Sequence, residues 1–259
     1  MPALETRSLS KWFGGLTAVD GVDLDVDPGE ILGLIGPNGA GKSTTLGLIS
    51  GFLPPSAGQV LLDGTDVTGH PPHRLASRGL ARMFQQNVLF GSCTVYDSVQ
   101  IGAHLQAVGS GPRAVLKALA GRRRASVAHD VWNALDFAGL ADDADTLATS
   151  LPHGKKRLLG LAITLAGRPK VLLLDEPVTG MNADETRTML GIVSRLRDER
   201  GMTLVLVEHN MEAVMSICDR ICVLNFGRRI AYGTPAEVSD DPAVIDAYLG
   251  VGTDDFVNL

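Results

Sequence analysis

Gly36-Pro37-Asn38-Gly39-Ala40-Gly41-Lys42-Ser43-Thr44 is the stretch that decides how this chain is read. It fits the phosphate-cradle pattern G-x-x-x-x-G-K-[ST], with every fixed position filled. The apolar run Ile31 to Ile35 leads into it and predicts a strand; Ser43 to Ser50 leads away and predicts a helix. Glycines let the backbone curl so that successive N–H groups point at one anion. The following helix adds the positive end of its dipole. In such a loop Lys42 would reach the β- and γ-phosphates of a nucleotide, and the Ser43 hydroxyl would ligate Mg²⁺.

Working outward, 259 residues are enough for one large domain or two small ones. With 45% hydrophobic and 20% charged residues the composition is that of a globular protein. No apolar run approaches the ~18 residues that a membrane span needs. The opening Met1-Pro2-Ala3-Leu4-Glu5 lacks a basic segment followed by an apolar one, so no export signal is expected. A net charge of −6 argues against a chain dedicated to nucleic acid. Cys93, Cys218 and Cys222 are odd in number and form no C-x-x-C pair, which argues against zinc or a disulfide framework.

On the N-terminal side, residues 4–26 alternate apolar and polar and predict one or two antiparallel strands. Between them lies Lys11-Trp12-Phe13-Gly14-Gly15. An aromatic ring ahead of a nucleotide loop can stack on the base, and the same spacing fits two core or hairpin rings. On the C-terminal side, strands are predicted at 60–62 and 80–84, with a short helix over 73–78 between them. Gln85-Gln86-Asn87 follows directly; a strand's carboxyl end is where α/β proteins place ligand contacts, although surface loops are polar too. Strand signals then stop. Helices are predicted over 94–108, capped by Thr94, and 114–137, with Val127, Val131 and Leu135 on one face. Arg122-Arg123-Arg124 reads as a solvated helix face.

Ser150-Leu151-Pro152-His153-Gly154-Lys155-Lys156-Arg157 opens another helix. Free N–H groups and three cations suit an anion site there, although an ordinary capped helix fits the same residues, and Gly154 permits close approach of a ligand or partner backbone. Val171 to Leu174 reads as a strand buried on both faces and ends in Asp175-Glu176-Pro177. Adjacent acids at such a strand end are costly unless they do chemistry or hold a metal. Asp175 suits Mg²⁺, and Glu176 could polarise a water. A helix over 183–200, stopped by Gly201, leads to the strand 203–207 and then to Glu208-His209, where the imidazole could hold a phosphate oxygen. Two more strands (221–224 and 229–232), two short helices (235–238 and 242–249) and a loose tail complete the chain.

Phosphate loop, glutamine run, helical insert, Gly154 segment, acidic strand end and His209 form an ordered set. Together they resemble the nucleotide-binding subunit of an ABC transporter, over residues 1 to about 250. The resemblance implies an α/β P-loop NTPase fold: a RecA-like core with an antiparallel β subdomain and an inserted α-helical subdomain. It divides the chain into one cassette over 1–250, with 87–158 as the helical part between 1–86 and 159–250, and a tail over 251–259. By match, Phe13 resembles the adenine-stacking aromatic, with Trp12 as rival. Gln85 resembles the glutamine that senses Mg²⁺ and the attacking water. Leu151, Pro152, His153, Gly154 and Lys155 occupy the Leu-Ser-Gly-Gly-Gln signature, from which Pro152, His153 and Lys155 depart. Asp175 resembles the Mg²⁺-supporting aspartate, Glu176 the catalytic base and His209 the switch histidine. Gly180-Met181-Asn182 lies where the D-loop does, with Asn182 in place of the usual Asp.

The resemblance implies two ATP molecules sandwiched in a head-to-tail dimer at the cytoplasmic face of a membrane. Permease subunits, and indirectly a solute-binding protein, are the implied partners. Phe13-Gly14-Gly15-Leu16-Thr17-Ala18-Val19, Leu151-Pro152-His153-Gly154, Thr179-Gly180-Met181-Asn182 and Asp246-Ala247-Tyr248-Leu249-Gly250 are similar to the branched-chain amino acid uptake ATPases and their urea-transport relatives. A lipopolysaccharide-export ATPase and a non-transport ABC ATPase are the alternatives. A GTPase would need Asn-Lys-x-Asp, which is absent.

Overall fold

The computed structural model describes residues 1–84, 92–107 and 122–249. Gln85, the middle of the helical insert and the tail lie outside these residues. Strands β1 (Leu4–Phe13), β2 (Leu16–Val26), β4 (Ala57–Leu62) and β5 (Thr65–Asp66) form an antiparallel sheet in the order β2-β1-β4-β5. The second sheet runs β10 (Arg228–Gly233), β9 (Arg220–Asn225), β3 (Ile31–Ile35), β8 (Thr203–Val207), β7 (Val171–Asp175), β6 (Leu80–Met83). It is parallel except where β10 pairs with β9.

This second sheet is the middle layer, and its central strands β3, β7 and β8 are buried at every residue because both faces are covered there. Side chains alternate across a strand. Ile31, Ile35, Leu172, Leu174, Leu204 and Leu206 therefore enter one apolar cluster, and Leu32, Leu34, Val171, Leu173, Val205 and Val207 the other. The first cluster joins the sheet to helices α3 (Val95–Ala107), α4 (Arg122–Phe137), α5 (His153–Leu165) and α6 (Ala183–Arg200). The second joins it to α1 (Lys42–Ile49), α2 (Pro72–Ser77) and the antiparallel sheet. The α/β class, with its antiparallel and helical parts, is the one expected.

Local chemistry sets the ends of these elements. Thr94 and Asp97 cap α3 reciprocally: Thr94 Oγ1 accepts from the Asp97 amide at 3.0 Å and Asp97 Oδ2 from the Thr94 amide at 3.2 Å. Asn182 caps α6 in the same way with Glu185, and Gly201 ends it in the left-handed region. Asparagine at 182 is thus accounted for by capping, which Asp would also satisfy. Val127, Val131 and Leu135 are buried on one face of α4. Cys218 and Cys222 are buried, and burial pushes both thiols up to about 12. α5 runs unbroken across 158–159. Met211–Ile217 forms a further helix, α7, capped by Asn210, which the seven residues of MEAVMSI were too few to signal.

Candidate nucleotide site

Parallel pairing brings the carboxyl ends of β3, β8, β7 and β6 to one edge of the middle sheet, the place where open α/β sheets bind ligands. The phosphate loop leaves β3 there. At Gly36, with φ 146°, a Cβ would lie 2.1 Å from the Leu224 carbonyl oxygen. At Gly41, with φ 102°, it would lie 2.6 Å from the Ala18 oxygen. Only glycine fits at either place. Lys42 Nζ donates to the Gly36 and Pro37 carbonyls at 2.6 and 3.0 Å, so the ammonium lies over the curled backbone. Burial pulls its pKa below the ordinary lysine range, while Glu176 and Asp175 oppose that pull. Ser43, on the next residue of α1, is exposed.

A cavity of about 460 Å³ opens over this loop. Asn38, Gly39, Ala40, Gly41, Lys42, Ser43 and Thr44 form its floor, Glu176 stands at one side, and Phe13, Leu16, Thr17, Ala18 and Phe226 form the rest. Phe13 lines it and Trp12 does not, although both rings are half exposed. Phe226 escaped the sequence reading because it sits in a hairpin turn far along the chain. The turn is pinned beside the loop: Gly227 donates its amide to the Ala40 carbonyl at 3.0 Å and accepts from the Asp20 amide at 2.8 Å. Phe226 has φ 45°, a left-handed conformation that is costly for a bulky residue, and its ring is 83% exposed.

At the end of β7, Asp175 is buried and accepts from Arg82 Nη2 at 2.6 Å. Arg82 comes from β6, and its Nη1 also reaches Ser50 Oγ at 3.3 Å. Among the described residues no cluster of three or more His, Cys, Asp or Glu side chains could form a metal cage. A hydroxyl and a carboxylate beside a phosphate cradle are nonetheless the hard oxygen donors by which Mg²⁺ is usually held, the remaining ligands being phosphate oxygens and water. Glu176 has φ 48°, and Thr179 Oγ1 donates to its Oε2 at 3.2 Å. Its amide donates to the Val207 carbonyl at 2.9 Å, tying the ends of β7 and β8 together. His209 is exposed and lies outside the cavity lining.

The Leu151–Lys155 segment is elsewhere. Pro152 caps α5 without a side-chain bond. The Leu151 side chain is in the core. Lys155 pairs with Asp143 at 2.7 Å, and Arg157 donates to the Thr179 carbonyl at 3.2 Å. Gly154 does permit a close approach, but of this chain's own Glu185: a Cβ there would stand 2.2 Å from its Oε1. None of these five residues lines the cavity over the loop.

A family model described as "ABC transporter" matches residues 19–179. The chain belongs to the ABC transporter family. A second model, "Branched-chain amino acid ATP-binding cassette transporter", matches residues 228–254. The chain is 38% identical to the high-affinity branched-chain amino acid transport ATP-binding protein BraF of Pseudomonas aeruginosa over 252 residues, 96% of this chain and 98% of that protein. It is 39% identical to LivG of Escherichia coli, of the same description, with the same coverage. It is 33% identical over 250 residues to LptB of E. coli, a lipopolysaccharide export system ATP-binding protein, again covering 96% of this chain and 98% of that one. Among solved structures, an ATP-binding cassette of an ABC transporter in its ADP conformation superposes with a TM-score of 0.85 at 29% identity, covering 96% of this chain and 99% of that one. As an ABC cassette the chain is an ATPase.

Proposed function

We propose that this chain is the ATP-hydrolysing subunit of an importer for branched-chain or other hydrophobic amino acids, or for a related small solute such as urea. The observation that carries the reading is the cavity in which the phosphate loop, Phe13 and Glu176 converge. The solute class is supported by the match of residues 228–254 and by higher identity to the branched-chain amino acid proteins than to the lipopolysaccharide-export protein.

In this reading Phe13 stacks on adenine and the amides of residues 36–44 hold the phosphates. Lys42 bridges the β- and γ-phosphates. Ser43, Asp175 and Gln85 would hold Mg²⁺, which would screen phosphate charge. Glu176 orients the attacking water and takes its proton, and His209 holds the γ-phosphate. The Leu151–Lys155 segment of a second subunit closes over the nucleotide. Two such subunits work beneath permease subunits at the cytoplasmic face of the membrane, served indirectly by a solute-binding protein and without nucleic acid. Among the described residues no helix is long and apolar enough to cross a membrane. The cassette spans 1–250, with the region around 87–158 as its helical part.

Glu176→Gln tests the assignment. It keeps the shape of the side chain and removes the base, so ATP binding persists while kcat falls by on the order of 10²–10⁴. The variant accumulates as an ATP-bound dimer in gel filtration. Hydrolysis at the parental rate would remove Glu176 from this role.

A further inference from the structure

Glu208 sits one residue before His209 and lines no part of the cavity over the phosphate loop. Its carboxylate is buried at the end of β8, 1% exposed, an unusual place for an acid. Oε1 accepts from the Val178 amide at 3.0 Å, two residues beyond Glu176. Oε2 is buried with no hydrogen-bond partner and lies 4.0 Å from His209 Nδ1. A buried polar atom without a partner costs stability and calls for a reason. Burial pushes the carboxyl above the usual range, and the Val178 amide and His209 oppose that push.

We propose that Glu208 is a positioning residue for hydrolysis, joining the turn that carries the base Glu176 to the turn that carries His209. Two bonds already cross between these turns: Glu176 amide to Val207 carbonyl, and Val178 amide to Glu208. The unpartnered Oε2 lies 4.0 Å from the ring of His209, the side chain that in the proposed function meets the γ-phosphate. Less than 1 Å of inward movement by the imidazole brings Nδ1 and Oε2 to bonding distance. His209 then pulls on Glu208, Glu208 on Val178, and the 176–179 turn is held where the base can face water. Arg157, from the first turn of α5, bonds the Thr179 carbonyl in the same turn and so extends the frame to the Gly154 segment.

The inference rests on the roles given to Glu176 and His209 above. Steady-state hydrolysis and ATP binding are measured for the parental chain, Glu208→Ala and Glu208→Gln. Alanine removes the acceptor; glutamine keeps an oxygen for Val178. Glu208→Ala lowers kcat by about tenfold or more while the Kd for ATP stays within about twofold, and Glu208→Gln recovers most of the rate. If Glu208→Ala does not fold, Glu208→Asp withdraws the acceptor by one methylene and keeps the charge, and the same split is expected. Parental rates in Glu208→Ala or Glu208→Asp overturn the inference, as does a parallel loss of rate and ATP affinity, or a glutamine variant no better than alanine. A parental chain that binds no ATP defeats the underlying reading instead.

Discussion

The phosphate loop and the Gly154 segment are both glycine-containing helix starts, and they are built in opposite ways. At the first, glycine is required because backbone closes in: the Ala18 and Leu224 oxygens stand where a Cβ would be. The amides face a cavity, and Lys42 bends back over them. At the second, glycine makes room for the carboxylate of Glu185, and the neighbouring cations are engaged within the chain by Asp143 and Thr179. One helix start completes a cradle by itself. The other offers a packed face that lines no part of the cavity over the loop, which suits a part that acts on a second subunit's nucleotide.

The largest effect expected from this contrast is on the cradle side. Arg82 and Asp175 form a nearly dry ion pair, with side chains 9% and 11% exposed. Arg82→Ala strands a buried carboxylate and costs about 3–5 kcal/mol in chemical denaturation. A loss under about 1 kcal/mol would show that water or a neighbour already compensates Asp175. Next comes the base. Phe13→Ala weakens ATP binding roughly tenfold by calorimetry, since stacking contributes about 1–3 kcal/mol, whereas Trp12→Ala changes it by less than about twofold. The reverse order would move the stacking role to Trp12. The smallest effect on stability belongs to the Gly154 side. Gly154→Ala displaces Glu185 from its capping box and costs about 1 kcal/mol. It leaves ATP binding intact and lowers hydrolysis, because the displaced face no longer fits its partner. If Gly154→Ala instead weakens ATP binding by the isolated subunit, the two helix starts do not divide the work in this way.

How much was legible follows the same contrast. Every requirement of the phosphate loop is local in sequence: a strand before, glycines at fixed offsets, a helix after. The ends of α3 and α6 were legible for the same reason, since Thr94 and Gly201 act on adjacent backbone. What escaped depends on strand order. Phe226 reaches the cavity only because β9 pairs with β3, and Arg82 reaches Asp175 only because β6 pairs with β7. The approach of Glu185 to Gly154 joins residues whose spacing carries no signal. The burial of Glu208 depends on what packs over the end of β8, and the local sequence carries no sign of it.

The central claim is that a nucleotide's triphosphate sits in the curled backbone of residues 36–44. Calorimetric titration of the purified, folded chain with ATP and Mg²⁺ tests it most directly. Binding at one site per subunit, abolished by Lys42→Ala while the variant keeps its fold, is the result expected. Folded parental protein that releases no heat with ATP would contradict it.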